Sequence, residues 1–289
     1  MTGADNQVPW VPELLILPPA GSHYAERTCP VGSDEPLDPP EYDVFGSVPV
    51  EPFSLFWYRW IAGHQIAFIL WRTIGDLLEQ RPDRLPGRGE IDLLTTCIDG
   101  YSAMLLYSAT TPGPHYHADI RRRMSLQHPS FSGAWAPDYR PVRRLFRGRF
   151  GWQQDPSCAA LREAIDLNRR THDHIADHLV PDGRSLLQNY VGNVNISREK
   201  EDLFDNFFMT IRRPIDRGGV VGQLAARIRA VGTDLESNGL FPLVDGRHYP
   251  VFSDPPGSTI WSLGTRVLRV LSRAVELSMD VEHQLEKAR

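Results

Sequence analysis

The longest unbroken apolar stretch lies between Pro52 and Pro82, in SLFWYRWIAGHQIAFILWRTIGDLLEQ. Trp60, His64, Ala67, Trp71, Ile74 and Leu78 recur there at steps of three and four, the spacing of one helical face. The pattern predicts a buried helix with Ser54 as its N-cap. A second helix is predicted over residues 91–108, striped by Leu94, Ile98, Tyr101 and Leu105 and broken by TTPGPHYH. Residues 128–157, with Pro129, Pro137, Pro141 and Pro156, read as long loops around short helical pieces. A third helix is expected from near Ser157 to Val180, ending at PDG, with the stripe Leu161, Ile165, Asn168, His172, Ile175 and Leu179. Residues 199–213 and 220–236 read as further helices, and 238–257 as loop with room for a hairpin. From 258 onward a long amphipathic helix is striped by Leu263, Val267, Leu271, Ala274, Leu277, Val281 and Leu285. Convincing period-two runs are absent, so the fold class is mostly α.

Proline density sets the opening segment apart. Pro9, Pro12, Pro18, Pro19, Pro30, Pro36, Pro39, Pro40, Pro49 and Pro52 remove backbone donors that helices and central strands need. Residues 1–52 are therefore expected to form an extended arm, and 53–289 a single helical domain. No uncharged apolar run is long enough for a membrane span. ELLILPP is too short and too interrupted for a signal peptide. Cys29, Cys97 and Cys158 are far apart and lack CxxC or CxxCH spacing, which suits free thiols in a reducing cytoplasm. The net charge of −5, without a basic tail, argues against nucleic acid as a partner. IRRRM and RPVRRLFRGR read as a solvated arginine face, with contact to haem propionates or a partner as the alternative for RPVRRLFRGRF.

Candidate chemistry concentrates in RRTHDHIADHL, residues 169–179. Helical spacing places His172 with Ile165 and Leu179, facing inward, and His174 and His178 on another face with Thr171. A buried neutral imidazole must satisfy its ring nitrogens by a hydrogen bond or a metal. His64 poses the same demand on the first helix, between Trp60 and Trp71. Two core histidines on two apolar helices suit a haem protein, one ligating iron and the other acting above it. The competing reading is zinc held by His174 and His178 at i and i+4, although the glutamate of HExxH is missing.

At this point the sequence resembles a known superfamily. WIAGHQIAFILWRTIGDLL resembles the distal helix of tryptophan 2,3-dioxygenases, with its HQ…LW…L pattern. NRRTHDHIADHL resembles their proximal helix, whose RxxH maps to Arg169 and His172. IRRRMSLQHPSFSG loosely resembles the segment whose arginine binds the substrate carboxylate, with Arg122 the best match and Arg121 next. The likeness covers residues 54–180. The GTGGS loop and the acidic residue of HQxxELW are absent, which turns the resemblance away from tryptophan ring opening. The proline-rich arm and short length are closer to histidine-ligated haem L-tyrosine 3-hydroxylases of lincosamide, hormaomycin and pyrrolobenzodiazepine antibiotic pathways.

That resemblance implies a helical bundle like the tryptophan and indoleamine dioxygenases. It implies a b-type haem whose iron is held by His172, with Trp60 and Arg169 also at the cofactor. It implies His64 as catalytic acid or base, at a pKa near neutral, and Arg122, Arg121 and Phe68 around L-tyrosine. Hydrogen peroxide would be the oxidant and L-DOPA the product. A cytoplasmic homo-oligomer, a dimer in the first instance, is implied as well. Three rivals stand beside it: a tryptophan or indole oxygenase of the same superfamily, a zinc-dependent hydrolase using residues 172–178, and a non-catalytic helical scaffold. GRHYPVF, with His248 and Tyr249, is a candidate lid.

Overall fold

The computed structural model of the chain describes residues 13–25, 52–80, 82–180, 184–244 and 247–248, with isolated positions 269, 272 and 273. Most of the expected arm and nearly all of the expected C-terminal helix lie outside the described residues. The described part is mostly helical.

Helix α1, Pro52–Gln80, begins two residues before the expected cap at Ser54. Proline suits a first turn because its fixed φ is helical and its missing N–H has no partner there. Next come α2, Arg88–Ser108; α3, Gly113–His115; a π-helical turn, Tyr116–Arg121; and α4, Arg122–Gln127. Then follow α5, Tyr139–Phe146; α6, Ala159–Leu179; α7, Leu186–Asn189; α8, Arg198–Phe207; and α9, Arg217–Asn238. α1 packs mainly along α2, α2 carries α6, and α5 and α9 rest on α1. Tyr58, Ile61, Ile66, Phe68, Trp71 and Ile74 bury the α1 side of this stack.

α1 and α2 approach closely at Gly63. A Cβ there would fall on Ser108 Oγ, so the hydroxyl would have to turn away within the core. α6 is pinned to α2 by Asn168 Nδ2, which donates to Ser102 Oγ at 2.8 Å inside the core.

The expected helix over 199–213 stops at Phe207. Met209 takes a positive φ of 52°, and Thr210–Arg212 forms strand β2, parallel to β1, Leu15–Leu17. Gln223 of α9 ties β1 down by both amide atoms, accepting from Ile16 N and donating to Ile16 O, each at 2.9 Å. The hairpin expected within 238–257 is present as β3, Leu243–Val244, paired with β4, Arg247–His248.

Arg59 and Asp234 lock α9 to α1 as a fully buried ion pair. Nε and Nη2 of Arg59 grip both carboxylate oxygens at 2.7 and 3.0 Å. Its remaining donors reach Thr110 Oγ1, Leu240 O and Gly239 O at 2.7–2.9 Å. Every guanidinium N–H is thereby used, the condition under which a buried charge is tolerated. Gly239, at φ 67°, supplies one of those carbonyls while ending α9.

Candidate active site

Behind this frame lies a cavity of about 610 Å³, within the range of ligand pockets. Trp60, His64 and Trp71 of α1 line it, with Tyr101 and Met104 of α2, and His172, Asp173 and Asp177 of α6. Tyr116 and Arg121 of the π turn, Phe131, Phe204 and Phe208, and residues 185–188 complete the wall.

His64 is half-buried, with one edge on the cavity. Its Nδ1 lies 2.7 Å from Trp60 O one turn earlier. A carbonyl only accepts, so Nδ1 carries the proton and Nε2 keeps its lone pair. The ring is clamped between Trp60, at 4.3 Å between centroids, and Phe208, stacked at 4.6 Å and 16°. Burial pushes its pKa from 6.5 down to about 4, against the opposing effect of the Trp60 hydrogen bond. The expected value near neutral is therefore corrected. At pH 7 the ring is an uncharged base, able to accept a proton or bind a metal.

His172 does not point into the core. Its side chain is 63% exposed, and Nδ1 lies 3.9 Å from Asp173 Oδ1, too far for a hydrogen bond. The inward face of α6 runs through Leu161, Ala164, Asn168, Thr171 and Leu179, so Thr171 occupies the inward position that spacing assigned to His172. His172 sits at the edge of that face, where it still lines the cavity. Two imidazoles from α1 and α6 thus share one chamber. His174 and His178 lie 4.3 Å apart between centroids, tilted by 44°, and are not part of its wall. Among the described residues no three His, Cys, Asp or Glu side chains are grouped to hold a metal ion, so the zinc reading finds no assembled site.

The arginines are sorted by the π turn. Arg121 lines the cavity beside Tyr116, whose phenol pKa is raised by burial while the guanidinium works the other way. Arg122, the better sequence match, is exposed and away from the cavity wall. One extra residue in a helical turn rotates everything after it, and π turns recur at functional sites for that reason. Arg169 is also away from the chamber: it pairs with Asp166 at 2.8 Å and donates to Phe146 O. Phe68 is buried behind His64, 5.2 Å from Phe208 between centroids, and supports the wall without forming it. Trp60 does form it, and among the described residues its buried Nε1–H has no hydrogen-bond partner. That orphaned donor, the two imidazoles and the aromatic lining fit a large flat cofactor. Sequence reasoning gave no role to Tyr116, Phe131 or Phe208, and carried Asp173 and Asp177 only as members of RRTHDHIADHL. For Phe208 the signal was the aromatic density of LFDNFF.

Cys97 and Cys158 are buried free thiols, and burial pushes Cys97 up to about 12, which makes it inert. His248 falls in β4, and Tyr249, the other half of the lid, lies outside the described residues. No described helix is long and apolar enough to cross a membrane.

The described residues thus form a helical scaffold around an aromatic-lined cavity that holds a neutral histidine and an arginine. Residues 20–166 match the family described as SfmD 3-methyl-L-tyrosine peroxygenase, and the chain belongs to that family. It is accordingly an oxidoreductase using peroxide on a tyrosine-type small molecule. The match includes His64 and Arg121 and ends before His172. No curated protein matches the sequence.

Proposed function

We propose that the chain is a haem-dependent peroxygenase that hydroxylates a free L-tyrosine-type amino acid on the ring carbon next to the phenol carbon. The observation that carries this reading is the convergence of His64, His172 and Arg121 on one aromatic cavity. L-Tyrosine giving L-DOPA, in antibiotic assembly, is the first reading. 3-Methyl-L-tyrosine, the substrate in the family's name, is the second.

A b-type haem, when bound, supplies the activation of peroxide. His172 would hold its iron through a ring nitrogen, and filling the chamber would cover this exposed side chain. Trp60 would pack against the macrocycle. His64 Nε2, a neutral acceptor, takes a proton from peroxide or from the substrate phenol. Arg121 offers its planar fork to the substrate carboxylate. Phe131 and Phe208 exclude water from the ring. Residues 53–289 act in this reading as one catalytic domain, in a cytoplasmic dimer.

The test is a visible spectrum of the purified holoprotein, with product analysis by mass spectrometry. A Soret band lost in His172→Ala, retained in His64→Phe, and perturbed by tyrosine or its 3-methyl derivative supports the reading. Full haem loading in His172→Ala removes that residue as the ligand. A catechol from neither amino acid overturns the reaction.

A further inference from the structure

A separate concavity is an open bowl of about 720 Å³ on the outer surface, lined by Tyr139, Arg143, Phe146, Arg147, Arg149 and Arg169. Nothing in the proposed hydroxylation uses it. Its positive charge contrasts with the net −5 of the chain. Three of the guanidiniums, Arg143, Arg147 and Arg169, act on the Tyr139 phenol strongly enough to oppose the effect of its burial.

The bowl is joined to the cavity by aromatic rings in contact. Trp71 lines the cavity, and its ring centroid lies 4.9 Å from that of Tyr139. Tyr101, also on the cavity wall, meets Trp71 edge-on at 5.1 Å. Trp71 Nε1–H is buried and has no hydrogen-bond partner among the described residues, so an indole oxidised there meets no acceptor for its proton among them and keeps it. Trp71 is placed to pass an electron alone, while Tyr139, half-buried at the bowl, can release its proton to water.

We propose that the bowl is a second redox site, at which small anionic one-electron donors such as enediolates are oxidised by equivalents drawn from the cavity through Trp71 and Tyr139. The inference rests on the peroxide-using reading of the cavity. Reduction of one H2O2 to two H2O consumes two electrons and two protons. Each electron moves from Tyr139 to oxidised Trp71, and the phenol proton leaves to solvent. The resulting phenoxyl radical then takes an electron from the donor and recovers a proton. With ascorbate as donor, H2O2 and two ascorbate monoanions give two H2O and two ascorbyl radical anions. The arginines bind the anion and add nothing to the electron count.

The test uses the holoenzyme. Treated with peroxide and a nitrone spin trap, without amino acid or ascorbate, the wild type is expected to carry the adduct on Tyr139, mapped by peptide mass spectrometry. Trp71→Phe is expected to lose that adduct. Tyr139→Phe is expected to lower ascorbate oxidation at least about tenfold while leaving amino-acid hydroxylation unchanged, because Tyr139 is not on the cavity wall. Arg147→Glu is expected to raise KM for ascorbate about tenfold, the effect of losing a charge-assisted contact. An adduct confined to Tyr101 or Tyr116, or wild-type ascorbate turnover in Tyr139→Phe, overturns the proposal while hydroxylation stands. Peroxide consumption by neither route removes the peroxide reading and this inference with it.

Discussion

Protonation of His64 is the sharpest quantity the cavity offers. The ring titrates near 6.5 when exposed and near 4 when folded, because burial disfavours its charged form. In protein with the cavity empty, the unfolded chain therefore binds a proton over a window where the folded chain does not. The resulting stability is fully present above pH 6.5 and is lost as pH falls toward 4. Linkage converts the two values to a loss of about 1.4 kcal/mol at pH 5.5 and about 3 kcal/mol at pH 4. His64→Phe keeps an aromatic ring between Trp60 and Phe208 but has nothing to titrate. Urea unfolding of both proteins at pH 7, 5.5 and 4 gives the wild-type-minus-variant difference, from which all other titrations cancel. It should shift by about 3 kcal/mol against the wild type between pH 7 and pH 4. A difference that stays flat to within about 0.5 kcal/mol would refute the reasoning, since the imidazole would then titrate alike in both states.

Asp234→Ala should cost about 3–5 kcal/mol in urea unfolding, because it leaves the Arg59 charge buried without its counterion. Gly63→Ala should cost about 1–3 kcal/mol by overpacking against Ser108 Oγ, and Ser108→Ala in the same chain should restore most of it. Titration calorimetry of the holoprotein should show Arg121→Leu weakening tyrosine binding at least about tenfold and Arg122→Leu leaving it unchanged; the reverse order would return the carboxylate to the sequence match. Met209→Gly should raise thermal stability by up to about 1 kcal/mol by relieving the positive φ.

The sequence made α1 and α2 legible because each is long, free of internal proline and periodic over several turns. The inward face of α6 was ambiguous at a single step. From Asn168, moving three residues to Thr171 or four to His172 leads equally well to Ile175 and Leu179. The choice is made by how α6 lies on α2, where Ser102 receives Asn168, and that contact is not local. β1 and β2 are too short for a period of two to register, and their pairing joins Leu15–Leu17 to Thr210–Arg212, far apart along the chain.

The choice between Arg121 and Arg122 has another origin. Matching a segment by resemblance fixes no rotation about a helix axis, and the π turn that ends at Arg121 sets which arginine faces the cavity. Met209, the one non-glycine residue with positive φ among the described residues, follows Phe208, which stacks on His64. Both irregularities therefore adjoin the cavity. Phe208 O accepts from Gln65 at 3.0 Å and Met209 O accepts from Leu15 N at 2.9 Å, so the strained turn is held from both sides. Strained backbone persists only where its surroundings over-determine it, and it collects where side chains must be aimed. By that argument the features hardest to read from the sequence are those that set the aim of Arg121 and the clamp on His64.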